Sequence, residues 1–314
     1  MGTVMMGYPN KTSFEVHPYT LRDLLVALEL GPADDTVLEY LYFLSKKVPV
    51  KAATFMHVIP NFRWYGSYTE NDEDVLDPYT LNTTILEDMR QRIKQHPISV
   101  QAKFSSFEVE HGDPLEAVLK AAEDILPELL VIGQKSGKGE HGILARNLAR
   151  KVASNALIIP QGAQASLSKI IVPIDFSNDS IKALKTAISI QDQLEGAVEI
   201  HAVHVYQMPN LSIYKVQRTQ KALKQMVEED RIEAFRRFLN SYFPGYKRAI
   251  NFDLIEQEGP GIARYILQFA KKNKADMIVM GAKGHSKVER LLLGSVTEKL
   301  CTLNKRIPTM IVRI

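Results

Sequence analysis

The sequence predicts two tandem α/β domains, each a doubly wound sheet of about five mostly parallel strands with helices on both faces. Three observations carry that expectation. Short apolar runs alternate with longer stretches of helical periodicity, and the same order occurs twice along the chain. Two markers recur in register: a strand ending in His-Val (Met56-His57-Val58 and Val203-His204-Val205), and a strand running into glycine, with Gly133 and Gly281 148 positions apart. Between the copies, Gln161 to Ser168 is small and polar, as a linker is. The expected domains are residues 17–161 and 167–314.

In the first half, Leu24–Leu30 reads as a strand, Asp35–Lys47 as a helix and Ala52–Ile59 as a strand. Leu81–His96, Val100–His111, Pro114–Ile125, Leu129–Gly133, Gly142–Val152 and Ala156–Pro160 continue the alternation. The second half repeats it. Lys169–Asp175 is a strand, Asp179–Gln193 carries apolar residues at helical spacing, and Ala197–Val205 is a strand. Val216–Tyr242 interleaves charges with Leu, Met, Ile and Phe, which gives a long helix one buried and one solvated face. Ala249–Glu258, Pro260–Lys271, Met277–Gly281, Leu291–Leu303 and Thr309–Ile314 complete the copy. Such alternation makes a parallel sheet with right-handed crossovers, and ligands bind beyond the carboxyl ends of its strands, where the strand order reverses.

Composition narrows the function classes. Of 314 residues, 45% are apolar and 24% charged, enough for ordinary cores under a solvated surface. A net charge of +3 supplies no field that would point to nucleic acid or anionic lipid. Cys301 is the single cysteine, so neither an intramolecular disulfide nor a zinc cluster is expected. Met1 to Lys11 lacks a basic segment followed by an apolar stretch, and no apolar run approaches the length of a membrane span. The expectation is a cytoplasmic protein with neither nucleic-acid nor membrane partners.

Chemistry concentrates at strand ends of the second half. Pro173-Ile174-Asp175-Phe176-Ser177 closes its first strand, and its fourth runs into a G-x2-G-x9-G-S pattern built on Gly281, Gly284, Gly294 and Ser295. Glycines let main-chain N–H groups approach phosphate oxygens, and the N–H groups of a helix beginning at Ser295 point toward negative charge. Ser295-x-x-Glu298 also reads as a capping box, a role compatible with phosphate binding. Asp175 has two readings: a contact to ribose or to water on Mg²⁺ beside a triphosphate, or a bond to the backbone of its own turn. Lys283, His285, Lys287 and Arg290 bring positive charge to the loop, the last two as solvated surface. His201 and His204 fall on opposite faces of one strand and cannot chelate one metal together.

These motifs, with the strand HAVHV at 201–205, Glu258-Gly259 before a helix, and the closing IPTMIVRI, make residues 169–314 similar to the universal stress protein family, in its ATP-binding branch. The resemblance implies an adenine nucleotide α-hydrolase-like fold with ATP, with or without Mg²⁺, across the strand ends. By it, Pro173, Ile174 and Asp175 line the adenosine, and Val205 contacts adenine through its main chain. Met280, Gly281, Lys283 and Gly284 then flank ribose and phosphates, while Gly294, Ser295, Val296 and Thr297 hold the phosphates. It further implies that Ala156–Pro160 and Thr309–Ile314 align, making the halves an intramolecular pseudo-dimer; a homodimer of two chains is also compatible with it.

The first half departs from that pattern. Its loop reads Gly133-Gln-Lys-Ser136, with Arg146-Asn147 set opposite Gly294-Ser295, Glu29 opposite Asp175 and Ala27 opposite Pro173. Gly137-Lys-Gly-Glu-His-Gly142 is a literal G-x-G-x-x-G, but it follows a fourth strand and lacks the later acid a dinucleotide site requires. Lys135, Lys138 and Arg146 cluster around this loop, which reads as a surface loop or as a basic, flexible anion site. The insert Arg63–Asp77, with the sole tryptophan Trp64, reads as a lid, a partner surface or a locally packed loop. The function expected is an ATP-binding stress-response or signalling module with a divergent first domain. Two alternatives stand beside it: a slow ATPase or nucleotidyl-transfer enzyme, for which no Walker A motif or general base is visible, and an interaction protein with an empty pocket.

Overall fold

The computed structural model describes residues 15, 17, 19–60, 78–96, 104–135, 142–195, 197–209, 220–284 and 293–313. The Arg63–Asp77 insert, residues 136–141 with Lys138, and His285, Lys287 and Arg290 lie outside the described residues.

The first half runs β1 (Leu21–Leu28), α1 (Ala33–Ser45), β2 (Val50–Ile59), α2 (Pro78–Gln95), β3 (Phe104–His111), α3 (Pro114–Ile125), β4 (Leu129–Gln134), α4 (Ile143–Lys151) and β5 (Asn155–Pro160). The second half repeats the order as β6 (Lys169–Pro173), α5 (Asn178–Gln193), β7 (Glu199–Tyr206), α6 (Gln220–Tyr242), β8 (Ile250–Glu256), α7 (Ile262–Lys272), β9 (Met277–Gly281), α8 (Ser295–Leu303) and β10 (Thr309–Val312). The alternation expected from periodicity is thus the alternation found.

Several boundaries differ by a few residues, two of them for identifiable local reasons. β1 ends at Leu28 rather than Leu30 because Leu30 takes a left-handed φ of 57° and the Asp34 carboxylate accepts the N–H groups of Glu29 and Leu30. α8 begins at Ser295 rather than Leu291, since Gly294 before it is extended, with ψ of 152°.

The strands join in one sheet, ordered β3-β2-β1-β4-β5-β10-β9-β6-β7-β8. Within each half the pairing is parallel and the order reverses between the first and fourth strands of the copy. At the join β5 and β10 run antiparallel, with Leu157 opposite Met310 and Ala156 opposite Ile311. The carboxyl ends of the two sets of strands therefore point in opposite directions along the strand axis.

Helices cover both faces, which explains why β4, β5, β9 and β10 are near-continuous aliphatic runs rather than alternating ones. On one face α1, α2, α5 and α6 enclose a core that crosses the join without a break, from Leu24, Val26 and Phe55 through Leu157 and Met310 to Ile170 and Val172. Opposite it, α3 and α4 pack over the first half and α7 and α8 over the second. Burying each such Leu, Ile or Phe contributes about 1.5–3 kcal/mol. Among the described residues, no helix is long and apolar enough to cross a membrane.

Candidate functional site

A cavity of about 330 Å³ opens at the carboxyl ends of β6, β7 and β9, where the second half's strand order reverses. The strands part early there. β6 pairs with β9 only at Ile170–Met277 and Ile171–Ile278, whereas β1 pairs with β4 from Leu24–Leu129 to Ala27–Ile132. Pro173, with no N–H to donate, closes β6 beside the opening.

Every residue nominated from the sequence lines this one cavity: Pro173, Ile174 and Asp175 from the end of β6; Val205 on β7; Met280, Gly281, Lys283 and Gly284 after β9; and Gly294, Ser295, Val296 and Thr297 at the head of α8. Ser180, Val203, His204, Ile262 and Ile266 complete the wall and were not nominated. Their signal in the sequence is that of ordinary core positions.

The glycines serve the protein's own packing. A Cβ on Gly281 would stand 2.6 Å from Asp179 Cβ and 2.7 Å from its backbone carbon, so glycine lets the end of β9 press against the first turn of α5. One on Gly284 would overlap Asp175 Oδ2. On Gly294 it would lie 3.3 Å from Lys283 Cα, and the Gly294 N–H donates to the Ala282 carbonyl at 2.8 Å. The backbone at Ala282, Lys283 and Gly294 is thereby held close together at the strand end, beside the cavity.

α8 begins there without a side-chain cap. Gly294, not Ser295, holds the cap position, so the capping box read from Ser295 and Glu298 does not form; Glu298 instead approaches Arg150 at 3.9 Å. The first N–H groups of a helix have no intrahelical partners, and here they face the cavity with the positive end of the helix dipole. Thr297 contributes only its main chain, because its buried hydroxyl donates to the Gly281 carbonyl at 3.0 Å.

Asp175 is the one carboxylate among the described lining residues. Its Oδ1 accepts the Ser177 N–H at 3.0 Å and the Ser177 hydroxyl at 2.5 Å, while Oδ2 lies toward Gly284. Phe176, at a left-handed φ of 63°, makes the sharp turn that presents it. His204 donates from Nδ1 to the Ile174 carbonyl at 2.8 Å and packs against Phe176. Burial holds its pKa below the usual imidazole value despite that bond, keeping the ring neutral. His201 lies on the other face against Phe269, bonded to Asp253 at 2.7 Å. Among the described residues no group of three or more His, Cys, Asp or Glu side chains could hold a metal ion.

Comparison with known proteins gives this geometry its relatives. The model of the universal stress protein family matches residues 167–313. A universal stress protein of Methanocaldococcus jannaschii is 30% identical over 146 residues, covering 46% of this chain and 81% of that protein. The chain belongs to the universal stress protein family. A universal stress protein of Bacillus subtilis is 27% identical over 150 residues, 46% of this chain and 99% of its own. Among solved structures, a universal stress protein of Archaeoglobus fulgidus shares the fold at a TM-score of 0.59 and 20% identity, over 93% of this chain and 98% of that one. A putative universal stress protein of Pseudomonas aeruginosa reaches 0.63 at 14% identity, over 93% of each. Both span the two halves.

Two features of this universal stress protein escape its sequence. Asp179 accepts the Lys283 N–H at 2.9 Å, so α5 pins the loop that carries the cavity glycines. From the first half, Arg146 donates to Thr302 at 2.9 Å and Gln134 to the Cys301 carbonyl at 3.1 Å, gripping α8 behind its exposed head. Arg146 had been set opposite Gly294, which the structure corrects. Gly142 is the cap residue of α4, as Gly294 is of α8, because the loop from Gly133 to Gly142 spans nine positions against thirteen from Gly281 to Gly294. Arg146 thus stands one turn inside α4 and points to the join. Lys135, which holds the place of Lys283, is ion-paired with Glu29.

Proposed function

We propose that the second-half cavity binds an adenine nucleotide, ATP, and that the chain is a tandem universal stress protein whose occupancy by nucleotide is its signal. One observation carries the reading: the uncapped head of α8 at Gly294 opens into the same cavity as Asp175 and Lys283, at the reversal point of a doubly wound sheet. Phosphates would lie against the amides of Ser295, Val296 and Thr297, with the adenosine between Pro173, Val205 and Met280. Asp175, alone as a carboxylate, leaves Mg²⁺ to be held chiefly by phosphate oxygens and water. A ligand that binds only the folded form stabilises it by mass action, so occupancy becomes compactness that a partner can read.

The test is to denature the purified protein and identify any released nucleotide by mass, then titrate ATP, ADP and AMP into stripped protein by calorimetry. Binding that strengthens with phosphate number supports the reading, and flat titrations with all three end it. Phosphate release at saturating ATP, followed in the same samples, separates a binding module from an ATPase.

A further inference from the structure

We propose that the first half holds a second small-molecule site, which takes an uncharged, largely apolar ligand of one or two rings and excludes nucleotide phosphates. A cavity of about 230 Å³ lies at the carboxyl ends of β1, β2 and β4, the reversal point of the first half and the counterpart of the nucleotide cavity. Its inner wall is Met56, Val58, Val118, Ile132, Leu144 and Leu148.

Among the described residues, the counterpart's polar side chains are absent or already engaged. Ile143 and Ala145 stand at the helical positions that Ser295 and Thr297 hold in α8. Glu29, in the place of Asp175, is neutralised by Lys135, and His57 donates from Nδ1 to the Leu28 carbonyl at 2.9 Å. The head of α4 also stands back from the cavity: of its first turn only Leu144 lines the wall, whereas Gly294, Ser295, Val296 and Thr297 all line the counterpart, and beside Gly142 packs Gln134, 2% exposed, its amide committed to Cys301. Among the described residues, a triphosphate there would meet an aliphatic wall and a Glu29 already paired with Lys135. An apolar ring meets neither penalty, and engineered apolar cavities of about 150 Å³ already bind benzene.

Methionine methyl groups report the two cavities separately, since Met56 lines the first and Met280 the second. In the full chain labelled at methionine methyls, indole should shift the Met56 resonance, whereas ATP should leave it in place. Indole at about ten times its Kd should raise Tm by ~2–4 °C. Leu144→Trp fills the cavity and should abolish the Met56 shift. If that variant does not fold, the wild-type titration still decides. A Met56 resonance unmoved by indole up to its solubility overturns the proposal, as does ATP displacing indole from Met56 by competition. Neither result depends on whether ATP binds the second half.

Discussion

The two halves share a chain path down to single hydrogen bonds yet differ at the carboxyl ends of their strands. Leu30 and Phe176 take the same left-handed turn, at φ of 57° and 63°, and His57 and His204 bond the carbonyls of Leu28 and Ile174 alike. At the reversal point the likeness stops. In the second half the first and fourth strands part early, Gly281 and Gly294 permit close backbone approaches, and the head of α8 from Gly294 to Thr297 lines the cavity. In the first half the corresponding strands stay paired longer, the loop is four positions shorter, and Gln134 fills the space beside the helix head. A common scaffold therefore leaves binding to a few close approaches of backbone, and those are what substitution should disturb.

The largest effect is expected from Gly294→Val. Its side chain would strike the Lys283 backbone and cover the α8 amides, so ATP affinity should fall by about 100-fold or more in calorimetry, the loss of several charge-assisted bonds. Asp179→Ala removes the acceptor of the Lys283 N–H without touching the cavity wall. Affinity should fall ~10-fold, as expected for one hydrogen bond to a charged group. Unchanged affinity would show that the loop holds itself.

Arg146→Ala asks how far the first half supports the second. Loss of the bond to Thr302 should weaken ATP binding ~3-fold and speed amide exchange in α8, with other helices unaffected. Uniform loosening of the whole chain would instead mean that Arg146 acts only on global stability. The smallest effect concerns His204. Burial lowers its folded pKa, so the unfolded state takes the proton first. Its contribution is full above about 6.5 and is lost as pH falls through the folded value. Thermal unfolding followed between about pH 7.5 and 5 should show that decline, shallower in His204→Gln.

Much of this was legible without coordinates. The order of strands and helices follows from apolar period, a property of neighbouring residues, and the strand ends could be located by the glycines and by Pro173-Ile174-Asp175. The cavity wall was found because its residues come from those ends. Asp179 was missed because an acid in a helix's first turn looks like an ordinary helix-end residue; its partner Lys283 lies 104 positions away.

The periodic signal thus established the class of fold, its repetition, and which strand ends carry glycine-rich loops. It did not establish how the loops align. Between Gly133 and Gly142 there is no period to count, and the placement of Arg146 opposite Gly294 erred by one helical turn. Only the packing of α4 and α8 across the antiparallel join settled that Gly142 is the helix head and that Arg146 and Gln134 serve the join. The cause is physical: helix and strand periods come from local backbone geometry, whereas a loop's register is chosen by contacts between segments far apart in the chain.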